Sequence, residues 1–190
     1  MADLSYRLSG SSIYGSDNRW GGFWSAGVGW NLHHEAFLKE AEWLRQFKLR
    51  ASVGYTGSQN FNPYQAMATY KYFTDAEYDN IVGAYLMGMA NDKLKWQQTR
   101  DVNVGFDAQL LKGMTVRFDY YVSNTDNLLV DFDLSGSTGF NTFKENLGEV
   151  QNRGFDATIN WRVYENTKND AYVTLFGSVS SNKNEIKKIS

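Results

Sequence analysis

Between residues 102 and 122 the chain alternates apolar and polar residues almost without a break, and this period of two constrains the fold more than any other feature. Val102, Val104, Phe106, Ala108 and Leu110 fall on one side, with Asn103, Gly105, Asp107 and Gln109 on the other. Met114, Val116, Phe118, Tyr120 and Val122 repeat the pattern against Thr115, Arg117, Asp119 and Tyr121. Leu111, Lys112 and Gly113 between the two runs are short enough for a hairpin turn.

The same phase recurs along the chain. Phe155, Ala157, Ile159, Trp161 and Val163 alternate with Asp156, Thr158, Asn160 and Arg162, and Ala171, Val173, Leu175, Gly177 and Val179 follow. Upstream lie Leu4, Tyr6 and Leu8, then Trp24, Ala26, Val28 and Trp30, then Leu49, Ala51, Val53 and Tyr55. These runs predict an all-β antiparallel meander of about seven long strands, near 3–12, 23–32, 47–57, 97–110, 114–125, 148–163 and 170–181. Soluble strands average about five or six residues, whereas about 9–11 are needed to cross a bilayer with tilt. Part of a transmembrane β-barrel wall fits these lengths, and a soluble antiparallel sandwich, whose core also needs alternation, is the competing reading. One segment changes period: Phe37, Ala41 and Leu44 at i, i+4 and i+7, with Glu35 four residues before Lys39, predict one short helix near 35–46.

The connections sort by length. Links near 33–46, 111–113 and 164–169 are short or hold the helix, while those at 13–22, 58–96 and 126–147 tend to be longer and rich in Gly, Asn, Tyr and Phe. In an antiparallel meander each set falls at one rim, as in a barrel with short periplasmic turns and long extracellular loops. Val104, Phe106, Val116, Phe118, Ile159 and Val173 are then expected to face lipid. Arg50, Asp107, Arg117, Asp119, Asp156 and Arg162, with Arg7 and Lys48, are expected to face the lumen and to form cross-strand pairs.

Composition removes several classes. Across 190 residues, Lys+Arg is 19 against 21 Asp+Glu, so no basic excess marks a nucleic-acid surface. Cysteine is absent, which excludes disulfides and thiolate metal sites. No apolar run is long enough for a transmembrane helix, a test to which barrel strands are blind. The opening MADLSYRLSG lacks an apolar signal-peptide core, so an export signal is expected on sequence outside this chain. His33 and His34 are the only histidines; on a helix they would point about 100° apart and make a poor chelating pair. Neither a G-x-S-x-G nor a P-loop pattern occurs. The expectation is no enzyme and no cofactor.

The 6 Trp, 12 Tyr and 12 Phe divide into two groups. Trp20, Trp24, Trp30, Tyr55, Trp96, Tyr120 and Trp161 lie near strand ends or on apolar faces and suit membrane-interface girdles. Phe61, Tyr64, Tyr70, Tyr72, Phe73, Tyr78 and Tyr85 crowd the 58–96 connection, where they either pack among the loops or contact a substrate or partner.

Several motifs occur in order along nearly the whole chain. They are Arg19-Trp20-Gly21-Gly22-Phe23, Gly29-Trp30, Glu35-Ala36-Phe37, Phe47 through Asn60 (FKLRASVGYTGSQN), and Asn91-Asp92-Lys93-Leu94-Lys95-Trp96. Asp119-Tyr120-Tyr121, Asp126-Asn127-Leu128-Leu129, Ser137-Thr138-Gly139, Asn146-Leu147-Gly148-Glu149-Val150, Asn152-Arg153-Gly154-Phe155-Asp156 and Asn182-Lys183-Asn184-Glu185-Ile186 follow. Together they resemble an internal barrel stretch of SusC/RagA-type TonB-dependent transporters of the Bacteroidota outer membrane. Trp24 stands where that family often has proline, and Gln97 where it often has glutamate.

The resemblance implies an outer-membrane location in a lipid bilayer and energised import of oligomeric nutrients, glycans or peptides, with a SusD-like lipoprotein and the TonB complex as partners. It also implies that residues 1–190 are a partial barrel segment of a family whose barrels have about 22 strands, with the plug domain, the TonB-contacting segment and the terminal strands absent. Such a piece alone is expected to be inactive. A small complete outer-membrane barrel and a soluble all-β binding module are the alternatives.

Overall fold

The computed structural model describes the chain apart from residues 13, 15, 37, 39, 40, 42, 59–63, 65, 111, 112, 167–170 and 190, and apart from the side chains of 16, 76 and 78. Seven strands form one antiparallel sheet, β1 (Ala2–Gly10), β2 (Trp20–Asn31), β3 (Leu44–Ser58), β6 (Gln97–Leu110), β7 (Met114–Asp133), β8 (Thr142–Asn166) and β9 (Ala171–Lys188), in that order. A separate two-stranded sheet pairs β4 (Thr69–Tyr78) with β5 (Ile81–Gly88). Every long strand therefore pairs with its neighbours in the predicted meander, and β1 and β9 remain as the two edges of an open sheet.

Register turns alternation into two chemically distinct faces. Phe106 lies opposite Phe118, Val116 opposite Ile159, Leu49 opposite Phe106, and Trp161 opposite Leu175. The intervening rows hold Asp107 opposite Arg117, Lys48 opposite Asp107, and Arg117 opposite Thr158. A slip by one residue would exchange the faces of a whole strand. On the apolar face Phe47, Phe106, Phe118 and Phe155 form a ladder across four strands, with centroid spacings of 5.7, 5.7 and 6.1 Å. Among the described residues no second layer covers this face: Leu4 is 80% exposed, Val28 59%, Val104 51% and Val179 60%. A soluble sandwich would bury these side chains; a barrel wall turns them to lipid.

The β6–β7 turn needs its glycine. Gly113 has φ +83°, and a Cβ there would fall 2.9 Å from the Cβ of Arg162, whose amide donates to Gly113 O at 2.9 Å. Leu111 and Lys112 lie outside the described residues.

Three expectations need correction in extent. The helical turn is a 3₁₀ turn at Leu32–His34, followed by i→i+3 backbone bonds from Leu38 to Glu35, Ala41 to Leu38 and Leu44 to Ala41. From Leu44 onward the predicted helix is strand: buried Leu44 pairs with Leu110, and burial against the sheet overrides the helical spacing. Phe37 and Lys39, on which the helical pattern rested, lie outside the described residues. Second, the 58–96 connection contains the β4–β5 hairpin, closed at Asp79 and Asn80 with φ of +51° and +61°, as a two-residue I′ turn demands. Third, 126–147 is mostly strand. Beyond an irregularity after Thr125, Leu128–Asp133 pairs with Thr142–Gly148, carrying the β7–β8 ribbon about 20 Å further.

Candidate functional site

The polar face carries an ion-pair network across three strands. Arg50 Nη2 donates to Asp119 Oδ1 at 2.9 Å and Oδ2 at 3.1 Å, and Arg50 Nε lies 3.0 Å from Asp107 Oδ2. Arg117 Nε donates to the other oxygen of Asp107 at 2.8 Å. Arg50 and Asp119 sit opposite Gly105 from its two sides, so the guanidinium reaches across β6 where that strand has no side chain. Because these side chains are partly exposed, each pair contributes only about 0.2–1 kcal/mol. Lys48, Asp107, Gln109, Thr115, Arg117 and Asn160 line an open depression of about 570 Å³ along this face.

The remaining polar-face residues stand apart from the network. Asp156 lies opposite Asp119 in the strand register and has no ion-pair partner among the described residues. Arg162 lies opposite Thr174, pairs with Glu165 at 3.5 Å, and places its guanidinium 5.5 Å from the ring centre of Tyr172.

At the rim where the longer connections gather, a small core forms. Leu94 is fully buried, and Tyr14 and Trp96 nearly so. Tyr14 stacks on Trp96 at 4.1 Å, Phe23 meets Trp96 edge-on at 5.4 Å, and Trp96 Nε1 donates to Asn18 O at 2.9 Å. Trp96 therefore belongs to this core and not to an interface girdle, because a ring buried under Tyr14 and Phe23 cannot meet lipid. The Tyr14 hydroxyl donates to Ser58 O at 3.0 Å, and burial pushes its pKa up to about 12.

Two asparagines clamp the rim. Asn91 Nδ2 donates to Lys144 O at 2.7 Å while its Oδ1 accepts from Lys93 N at 3.1 Å. Asn146 Oδ1 accepts from Lys95 N at 2.8 Å, and its Nδ2 reaches Lys95 O at 3.2 Å and Asn127 O at 2.8 Å. Each amide stands in for a strand partner and joins the 91–96 segment to the β7–β8 ribbon. Neither role is marked by spacing along the chain, because Asn91 reaches the backbone of Lys144 and Asn146 that of Lys95.

The aromatic hairpin stands off the main sheet. Tyr70 pairs with Leu86 and Tyr72 with Ala84 on one face, while Phe73 and Tyr85 contact at 5.1 Å on the other. Tyr64, Tyr70 and Tyr72 are each about two-thirds exposed. The backbone of Tyr78 pairs with Ile81, but its side chain lies outside those described, as does Phe61. At the opposite rim His33 Nδ1 lies 3.3 Å from Phe47 O and 3.4 Å from Phe47 N, tying the turn to β3. Among the described residues no group of His, Asp and Glu is placed to hold a metal.

Residues 1–187 match the family model described as TonB dependent receptor-like, beta-barrel. TonB-dependent receptor P3 of Formosa agariphila is 33% identical over 185 residues, which is 96% of this chain and 18% of that protein. TonB-dependent receptor SusC of Bacteroides thetaiotaomicron is 33% identical over 194 residues, covering 98% of this chain and 19% of that protein. Among solved structures, the RagAB peptide importer in its closed-closed state superposes with a TM-score of 0.87 at 27% identity, covering 98% of this chain and 20% of that one. The chain thus spans about a fifth of the length of the relatives it matches.

Proposed function

The chain belongs to the TonB-dependent receptor-like β-barrel family of the outer membrane, and on that premise we propose that it forms wall and outer rim of an importer of oligomeric nutrients, peptides or glycans. The plug that gates the lumen and the segment that contacts the TonB complex are assigned to the four fifths of the parent outside this chain. The polar face with Arg50, Asp107, Arg117, Asp119, Asp156 and Arg162 is assigned to the lumen. The hairpin bearing Tyr70, Tyr72, Phe73, Tyr78 and Tyr85, with Tyr64 before it, is assigned to contact with substrate or with a SusD-like surface lipoprotein.

The observation that carries this reading is the two-faced sheet. An uncovered apolar face backed by a charged one suits a wall between lipid and water. A wall segment by itself encloses too little of a ligand to bind it tightly, so transport is assigned to the parent. Deleting the parent in its host is expected to abolish growth on the cognate oligomer and to leave growth on the monomer intact, with restoration by the full-length gene. Undiminished uptake of every oligomeric nutrient in the deletion strain would overturn it.

A further inference from the structure

Strand β5, Ile81-Val82-Gly83-Ala84-Tyr85-Leu86-Met87-Gly88, runs eight residues without a charge or a proline. One side pairs with β4, and on the other no strand pairs with it among the described residues. Its large side chains are as bare as that edge, Ile81, Val82, Tyr85 and Met87 all being exposed. β4 is guarded by contrast. It carries Lys71, Asp75 and Glu77, all exposed, and its register breaks between Tyr72 and Glu77. Charge and irregular pairing are the devices that keep a free edge from recruiting further strands, and β5 has neither a charge nor a proline to do so. A two-stranded ribbon is also marginal by itself in water and gains stability from a third strand.

We propose that β5 is a central strand in the assembled protein, its open edge taken by a strand from another outer-rim connection of the parent barrel. Permanence argues for an occupant in the same chain. An uncharged apolar edge that waited for a separate partner would meanwhile pair with other copies, whereas a strand of the same chain is present whenever the barrel is. The supply is large. This chain spans about a fifth of the length of its relatives, and in an antiparallel barrel the longer connections of the remaining wall reach this same rim. Edge pairing uses backbone groups only, so both aromatic faces of the hairpin stay available, Tyr70 and Tyr72 on one and Phe73 and Tyr85 on the other. The inference depends on membership of the barrel family and not on what is imported.

Successive residues of an antiparallel strand turn their amides to opposite sides, so a lone hairpin leaves alternate amides of β5 open to water. Hydrogen exchange of the full-length parent, purified without lipoprotein and measured at several concentrations, reads them. Every amide of 82–88 is expected to exchange at least about a hundredfold more slowly than in an open chain, at all concentrations. Alternate amides exchanging at open-chain rates overturn the proposal. So does slowing that appears only on adding the lipoprotein or an oligopeptide, or only at high concentration, which assigns the edge to that partner or to a second copy. Ala84→Pro and Tyr85→Pro give an independent reading, with Tyr85→Ala as the control for the lost ring. Proline is tolerated where an edge strand turns its amide outward, and not in a central strand. Both prolines are therefore expected to open the hairpin to protease while heat-modifiable gel mobility of the barrel stays normal. Unchanged protease resistance in either proline variant shows β5 to be an edge and overturns the proposal.

Discussion

Arg50 on β3 and Asp119 on β7 are joined by hydrogen bonds of 2.9 and 3.1 Å across an entire intervening strand. The contact exists because Gly105 occupies the row between them. A Cβ at that position would run into Asp119 Oδ1 and lie 2.6 Å from Phe118 O. The alternation predicts a small residue as readily as a polar one here; the span of the ion pair explains why it is glycine.

Gly105→Val in the full-length parent should therefore weaken the wall by about 1–3 kcal/mol through crowding, while Arg50→Met, which removes a partly exposed pair, should cost about 1 kcal/mol or less. Urea midpoints of heat-modifiable mobility measure both. Equal loss from the two substitutions would mean that the crowding at Gly105 is relieved at both contacts, the Asp119 side chain and the Phe118 backbone, and would contradict a requirement for glycine there.

The apolar face makes a second prediction. Phe106→Arg, in the middle of the phenylalanine ladder, should lower barrel stability by about 2–4 kcal/mol if it lies near the bilayer midplane. Gln109→Arg, on the opposite face, should be close to neutral. Outer-membrane abundance of the folded parent reads the difference, and equal tolerance at both positions would argue against a lipid-facing ladder.

Legibility in the sequence followed the number of polar faces. The seven long strands read clearly because each sets apolar residues against polar ones, as Val116 and Phe118 do against Thr115 and Arg117. The β4–β5 hairpin did not, because Tyr70-Lys71-Tyr72-Phe73 is aromatic on both sides and its turn, Asp79-Asn80, has no glycine. The segment at Leu44–Phe47 carried helical spacing, but pairing with β6 decided its state. The clamps were illegible for another reason: Asn91 acts on a backbone 53 residues away and Asn146 on one 51 residues away, and spacing along the chain does not reveal such partners.

The rim core is expected to lose stability at alkaline pH. Burial raises the Tyr14 pKa from 10.0 to about 12, so the folded rim favours the protonated phenol. Above pH 10 the unfolded rim binds fewer protons than the folded one, and stability falls as pH climbs from about 10 towards 12. Its contribution is complete below pH 10. Protease protection of the 91–96 segment should decline over that window, and Tyr14→Phe should abolish the decline attributable to this group.

The hairpin aromatics separate folding from contact. Tyr72→Ala, Phe73→Ala and Tyr78→Ala together should reduce lipoprotein docking or substrate capture in the parent and leave assembly intact, because the hairpin pairs only with itself in the described sheet order. Growth on the cognate oligomer and heat-modifiable mobility report the two effects. Normal growth with normal mobility would assign these rings to packing within the hairpin, and loss of mobility would assign them to barrel assembly.

The central claim is that alternate residues of one strand face lipid and water. This chain has no cysteine of its own, so single cysteines at positions 114–122 of the full-length parent, freed of any other cysteines, can carry spin labels in native outer membranes. Oxygen accessibility should rise at 114, 116, 118, 120 and 122 and fall at 115, 117, 119 and 121, with accessibility to a water-soluble nickel chelate in the opposite phase. A flat profile, or oxygen maxima at the odd positions, would contradict the assignment of faces.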